Sequence, residues 1–211
     1  MPRMIIIAGP PGGGKSSYFP VKNTGIDFFN SDDRAAHLNG GSYHNITPEI
    51  RAAAGRLLQE FIESHIEARR SFAFENALRT DTGFQQIRRA KELGFRVVLD
   101  YLAAGPVEEH IRRVMNRALL GGHSATEGKL RNIYEHSMKN LVIAFEENRN
   151  LRIDLLRIFD NSGHFGSPRL VVKMRRGIAR MIAPEIPAWL ETALQGSDFS
   201  IQNLRAAMRG K

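Results

Sequence analysis

Cysteine is absent from the chain, so neither a disulfide framework nor a cysteine-ligated zinc site is open to it, which suits a reducing compartment. No apolar run approaches the ~18 residues that a membrane-crossing helix needs. The run Ile5–Ile7 is also too short for the core of a signal peptide. A cytoplasmic location without a membrane partner is therefore expected. Aromatic residues make up only 8% of the chain, with one tryptophan, and no stripe of aromatics interleaved with basic residues marks a base-stacking surface. Negative charge is in short supply: 22 Asp and Glu face 30 Lys and Arg, a net charge of +8. Such an excess selects acidic partners. The arginines are spread from Arg51 to Arg209 rather than gathered in one arm, which favours small phosphorylated ligands over nucleic acid.

What is present is ordinary in bulk: 211 residues, 42% of them hydrophobic, enough for one domain with a real core. No repeat, low-complexity stretch or linker divides it, so residues 1–211 read as one domain. Apolar segments at Ile5–Ala8, Ile26–Asn30, Ser71–Glu75, Phe95–Leu102, Leu155–Phe159 and Arg169–Met174 predict strands. Helical spacing lies between them: from Thr47-Pro48 through Ile66, around Phe84 and Ala90, from Val107 to Ala118, and over about five turns from Leu130 to Phe145. Two short helices, around Trp189 and Leu204, complete the chain between residues 186 and 209. Strands alternating with helices predict an α/β fold of three layers, a mainly parallel sheet with helices on both faces. Ligands then gather at the carboxyl ends of the strands.

The segment "AGPPGGGKSS" (Ala8–Ser17) follows the first strand. Gly9 to Ser16 fits G-x-x-x-x-G-K-[ST] in full, with a buried strand before it and a helix expected from Gly14 or Lys15 until Pro20. Each residue type has a physical reason. Gly12, Gly13 and Gly14 let amide groups converge on phosphate oxygens. The helix that starts with Lys15, Ser16 and Ser17 offers the positive end of its dipole. Lys15 brings a point charge to the terminal phosphates, and the Ser16 hydroxyl suits Mg²⁺. A P-loop NTPase site for ATP or GTP with Mg²⁺ is the expectation.

Three features favour transfer to a small acceptor over a motor or a switch. The chain shows no second domain to drive. Asp32, beyond the second strand, suits a base that takes the proton of an acceptor hydroxyl. Glu75 and Arg79 in "ENALR" suit metal-bound water, acceptor hydroxyls and acceptor charge. Bland alternatives stand beside these: Asp32 and Asp33 also suit a helix N-cap, Glu75 a solvated strand end, and Asp100 in "VVLDY" rivals Glu75 as the metal-associated acid. From Arg112 to Arg131, four arginines, Gly121-Gly122 and His123 lie between two helices. Arg113 and Arg117 share one face there, as a lid-like segment closing on the transferring phosphate would require. His123 reads more simply as a structural residue. A polynucleotide 5′-hydroxyl kinase and a non-catalytic nucleotide switch are the rival readings.

Taken in order, "AGPPGGGKSS", "FFNSDDRA", "FAFENALR", "AKELGFRVVLDYL", "RVMNRALLGGHSATEGKLRNIYEHSMKNL" and "RIFDNSG" resemble the zeta-toxin family of UDP-N-acetylglucosamine kinases over residues 4 to 163. The resemblance implies a nucleotide-kinase-like fold and transfer of the γ-phosphate of ATP or GTP to the 3′-hydroxyl of a UDP-amino sugar. It also implies an antitoxin partner. It casts Asp32 as catalytic base, Lys15 and Ser16 as phosphate and Mg²⁺ contacts, Asn30, Glu75 and Arg79 as the acceptor site, and Arg113 and Arg117 as stabilisers of the transferring group. Ala77 stands where the family often carries a small hydroxyl residue.

Overall fold

The computed structural model describes residues 1–18, 25–119, 125–163 and 167–209. One seven-stranded sheet organises them, in the order β2-β3-β1-β4-β5-β6-β7. Its strands are β1 (Arg3–Ala8), β2 (Asp27–Phe29), β3 (Phe72–Asn76), β4 (Arg96–Ala103), β5 (Leu155–Asp160), β6 (Arg169–Arg175) and β7 (Ile178–Ile182). The first five pair in parallel, and β6 and β7 are antiparallel. β1 sits between β3 and β4, and all but its first residue are buried, as a central parallel strand requires. The chain leaves β1 for β2 on one side and leaves β4 for β5 on the other. The end of β1 therefore lies where the direction of winding reverses.

The larger core lies on one sheet face. There α3 (Pro48–Glu67), α4 (Thr82–Glu92), α6 (Glu127–Arg149), α7 (Ala188–Leu194) and α8 (Ile201–Arg209) bury Ile62, Phe84, Leu141, Phe145, Leu190 and Leu204 against the strands. The opposite face is built from Ile5, Ile7, Ala73, Val98, Leu102 and Phe159. Tyr18 of α1 (Lys15–Tyr18) packs there against Phe159, ring centres 4.7 Å apart. Thr47 caps α3 by accepting from the Ile50 amide, and Pro48 opens it, as its sequence predicts.

Three differences from the sequence reading are local. α6 has 23 residues, about six turns rather than five. A short helix α2 (Ser31–Leu38) follows β2 and buries only Ala35 and Ala36, too little apolar pattern to announce it. Arg169–Met174 is not the last strand: Arg176 and Gly177, both at positive φ (49° and 78°), turn the chain into β7. Pro20, Gly121, Gly122 and His123 lie outside the described residues. Among the described residues no helix is long and apolar enough to cross a membrane.

Candidate active site

The loop after β1 is shaped by what crowds it. Gly12 has φ +81°, and a Cβ there would stand 2.6 Å from the His110 carbonyl oxygen of α5 (Val107–Leu119). Gly14 has φ +93°, and a Cβ there would overlap the side-chain amide of Asn161, just beyond β5. Three loop carbonyls are engaged by donors: Pro10 by Lys15 Nζ at 3.1 Å, Pro11 by His110 Nδ1 at 2.8 Å, and Gly13 by Asn161 Nδ2 at 3.1 Å. The first amides of α1 have no carbonyl of their own helix to reach, so the loop and the helix start together favour an anion.

His110 is a fixed strut of this cradle. Its Nε2 accepts from the Ala104 amide at 2.9 Å, so Nδ1 carries the proton and donates to Pro11. Burial pushes its pKa down to about 4, helped by the charges of Lys15 and Arg113, and the ring is neutral at pH 7. Nothing in the sequence separates His110 from any other helix histidine, and its role comes only from the fold. Asn161 stands in "RIFDNSG", but without the loop beside it that segment does not say what its amide does.

Across the loop, Ser16 Oγ donates to Glu75 Oε1 at 2.9 Å. Glu75 is in register with Ile7 of β1, which brings it beside the loop. Burial pushes the Glu75 carboxyl above its ordinary range, opposed by Lys15 and the Ser16 hydrogen bond and aided by Asp32 and Asp33. Burial lowers the Lys15 ammonium, opposed by Glu75 and Asp32 and assisted by Arg117. Lys15, Glu75, Asp32 and Arg117 thus share one electrostatic environment.

Asn30, not an aspartate, caps α2: its Oδ1 accepts from the amides of Asp32 at 2.9 Å and Asp33 at 3.4 Å. The capping alternative for the two acids is therefore answered, and Asn30 holds Asp32 in the first turn of α2. Asp33 accepts from the Tyr43 hydroxyl at 2.8 Å. The β3–α4 loop turns at Leu78, a buried residue at φ +53°, whose amide donates to Asn76 Oδ1 at 2.6 Å and whose carbonyl accepts from Asn140 at 2.9 Å. Two hydrogen bonds at a left-handed leucine mark a loop held against its own preference. Arg79 follows it and is exposed.

A cleft of about 810 Å³ opens on the α5 side of the loop, with Gly12, Gly14, Arg113, Asn116, Arg117 and Asn161 in its walls. Glu75 and Asp32 stand outside those walls. Arg113 is committed to Glu109 at 2.6 Å and to the Asn161 carbonyl at 2.9 Å. Arg117, one turn on, is exposed and faces the cleft. Asp100 is withdrawn from candidacy: it is 1% exposed and held by Arg157 through two hydrogen bonds, at 2.7 and 2.6 Å, with the Tyr18 hydroxyl at 3.2 Å.

Among the described residues no three His, Cys, Asp or Glu side chains form a metal cluster. A hydroxyl touching a single carboxylate beside an anion cradle is an oxygen donor set that suits Mg²⁺, an ion that keeps waters and shares phosphate oxygens.

The chain is similar to an uncharacterised protein of Haemophilus influenzae, 28% identical over 126 residues, covering 59% of this chain and 87% of that one. Its fold is similar to the AvrRxo1-ORF1:-ORF2 crystal structure with ATP, with TM-score 0.66 and 16% identity, covering 85% of this chain. The chain spans 60% of the length of that structure's matched chain. A structure from the PezAT chromosomal toxin–antitoxin system of Streptococcus pneumoniae matches with TM-score 0.61 and 15% identity, covering 99% of this chain and 88% of that one. The family model for the zeta toxin matches residues 1–165, and the chain belongs to the zeta toxin family.

Proposed function

We propose that this chain is an ATP-dependent kinase that phosphorylates a hydroxyl of a small acceptor, and that a UDP-amino sugar is its acceptor. The observation that carries the reading is the contact of Ser16 Oγ with Glu75 Oε1 beside Lys15, with the Asp32 charge acting on both Lys15 and Glu75. Family membership supports it, as does the likeness to a structure solved with ATP.

In this reading the loop amides and Lys15 hold the β- and γ-phosphates, while the cleft between the loop and α5 takes the nucleoside. Ser16 and Glu75 would hold Mg²⁺, whose charge would offset that of the phosphates. Asp32 takes the proton of the acceptor hydroxyl as its oxygen bonds to the γ-phosphorus. The bond from that phosphorus to the bridging oxygen breaks, and ADP leaves with the bridging oxygen. Arg117, turned to the cleft, meets the charge on the transferring group, and Arg113 steadies the helix that carries it. Arg79 and Asn30 lie on the acceptor side. The described toxin–antitoxin setting of one similar structure supports an antitoxin as protein partner.

The test is ADP release by the purified protein against a panel of UDP-sugars and other hydroxyl compounds. Acceptor-dependent release that is lost in Lys15→Ala is the expected result. Release that ignores every acceptor would leave a hydrolase or a switch in place of a kinase.

A further inference from the structure

The C-terminal helices lie beyond residue 165, where the family match ends, yet one of them touches Asp160, the neighbour of a residue that holds the anion cradle. Trp189, the only tryptophan, is 7% exposed at the start of α7. Its Nε1–H donates to Asp160 Oδ1 at 3.0 Å. Asp160 ends β5 with its side chain 11% exposed, and it also accepts from the Ser162 amide at 3.2 Å and the Ser162 hydroxyl at 2.5 Å. Arg169 approaches its other oxygen at 3.5 Å. The next residue is Asn161, which touches three separate parts of the site. Its amide donates to the Ala103 carbonyl of β4 at 2.7 Å, its carbonyl accepts from Arg113 at 2.9 Å, and its side chain donates to Gly13 at 3.1 Å.

We propose that Trp189 is a positioning residue for the nucleotide site: its N–H fixes Asp160, and Asp160 sets the backbone from which Asn161 holds both the phosphate loop and the arginine helix. The ring alone does not require this arrangement. Packing against Tyr101, 6.4 Å between ring centres, is a task that phenylalanine also performs. What tryptophan adds is a buried donor that must find an acceptor, and the acceptor is the carboxylate next to Asn161. The C-terminal helices thereby govern how well the loop is formed before nucleotide arrives, which lowers the cost of binding. This inference rests on the nucleotide reading of the cleft.

The experiment measures MgATP affinity and the KM-against-kcat split for the full chain, Trp189→Phe, Asp160→Ala, Asp160→Asn and the Trp189→Phe/Asp160→Ala double variant. All are compared at a temperature where far-UV circular dichroism shows them folded. Trp189→Phe should weaken MgATP about tenfold, the scale of one charge-assisted hydrogen bond, with kcat at saturating nucleotide little changed. The double variant should bind no more weakly than Asp160→Ala, and Asp160→Asn, which keeps an acceptor oxygen, should stay nearer wild type. Unchanged affinity in folded Trp189→Phe, or losses that simply add, overturns the proposal. Should that variant not fold, the wild-type emission decides: a saturable change on MgATP titration is expected, and its absence overturns the proposal. Failure of the wild-type chain to bind MgATP would instead remove the nucleotide reading itself, and this inference with it.

Discussion

Glu75 and Asp100 stand on either side of the same residue. Both pair in register with Ile7 of β1, one from β3 and one from β4, and both follow a run of buried apolar residues. Their neighbours divide them. Asp100 is closed off by a bidentate arginine and a tyrosine hydroxyl; burial still lifts its carboxyl above the ordinary range, opposed by Arg157 and the Tyr18 hydrogen bond, while the pair raises the Arg157 guanidinium. Among the described residues Glu75 has no such fixed counter-ion: it touches the hydroxyl of Ser16 and feels the charge of Lys15. A buried acid that is already neutralised serves the fold. One left with a hydroxyl and an unspent positive environment is available to chemistry.

That contrast is open to attack in four ways. The largest effect is expected at Glu75: Glu75→Gln should lower phosphotransfer by about a hundredfold or more, the scale seen when one preorganised charge is removed from a transferring group, measured as kcat. Asp100→Ala should do the reverse and spare the chemistry. It leaves the half-buried Arg157 guanidinium unpaired and should cost about 2–3 kcal/mol, read as a lower midpoint in urea. Comparable activity losses in both variants would erase the distinction.

The cradle between the two acids has its own pH signature. The folded His110 ring sits at about 4 against an ordinary value of 6.5. The unfolded chain therefore binds a proton that the folded chain refuses. Stability from this ring is complete above pH 6.5 and falls as pH drops toward 4, by about 2–3 kcal/mol. Denaturant midpoints from pH 7 to 4.5 should fall more steeply in wild type than in His110→Asn. The smallest effect returns to Glu75. Because burial raises its folded pKa, the fold is favoured by its protonation below about 4.5 and loses that advantage as pH rises through the raised value. At pH 7 Glu75→Gln should melt above wild type, read as a higher midpoint in a thermal scan. The gain should vanish at pH 4.

Much of this was legible in the sequence because the phosphate-loop pattern is local: its glycines, lysine and serine, with a strand before and a helix after, need no distant information. The strands followed from apolar runs, and the mostly parallel sheet from their alternation with helices. The choice between Glu75 and Asp100 was less secure, since "SFAFE" and "VVLDY" look alike. The arginine that settles it lies 57 positions beyond Asp100. β7 escaped because its turn uses Arg176-Gly177 in place of an asparagine-glycine pair, and a bulge beside Lys173 breaks the alternation. His110 and Asn161 escaped for a different reason: each acts on the loop only after separate parts of the sheet have come together, 99 and 148 positions away along the chain.

The Asn30 cap holds Asp32 in the first turn of α2, and we propose that Asp32 is the base of the transfer reaction. The most direct test of this central claim is Asp32→Ala assayed side by side for nucleotide binding and for acceptor-dependent ADP release. Retained binding with release reduced by about a hundredfold or more is the predicted result. Full turnover by that variant would contradict the account.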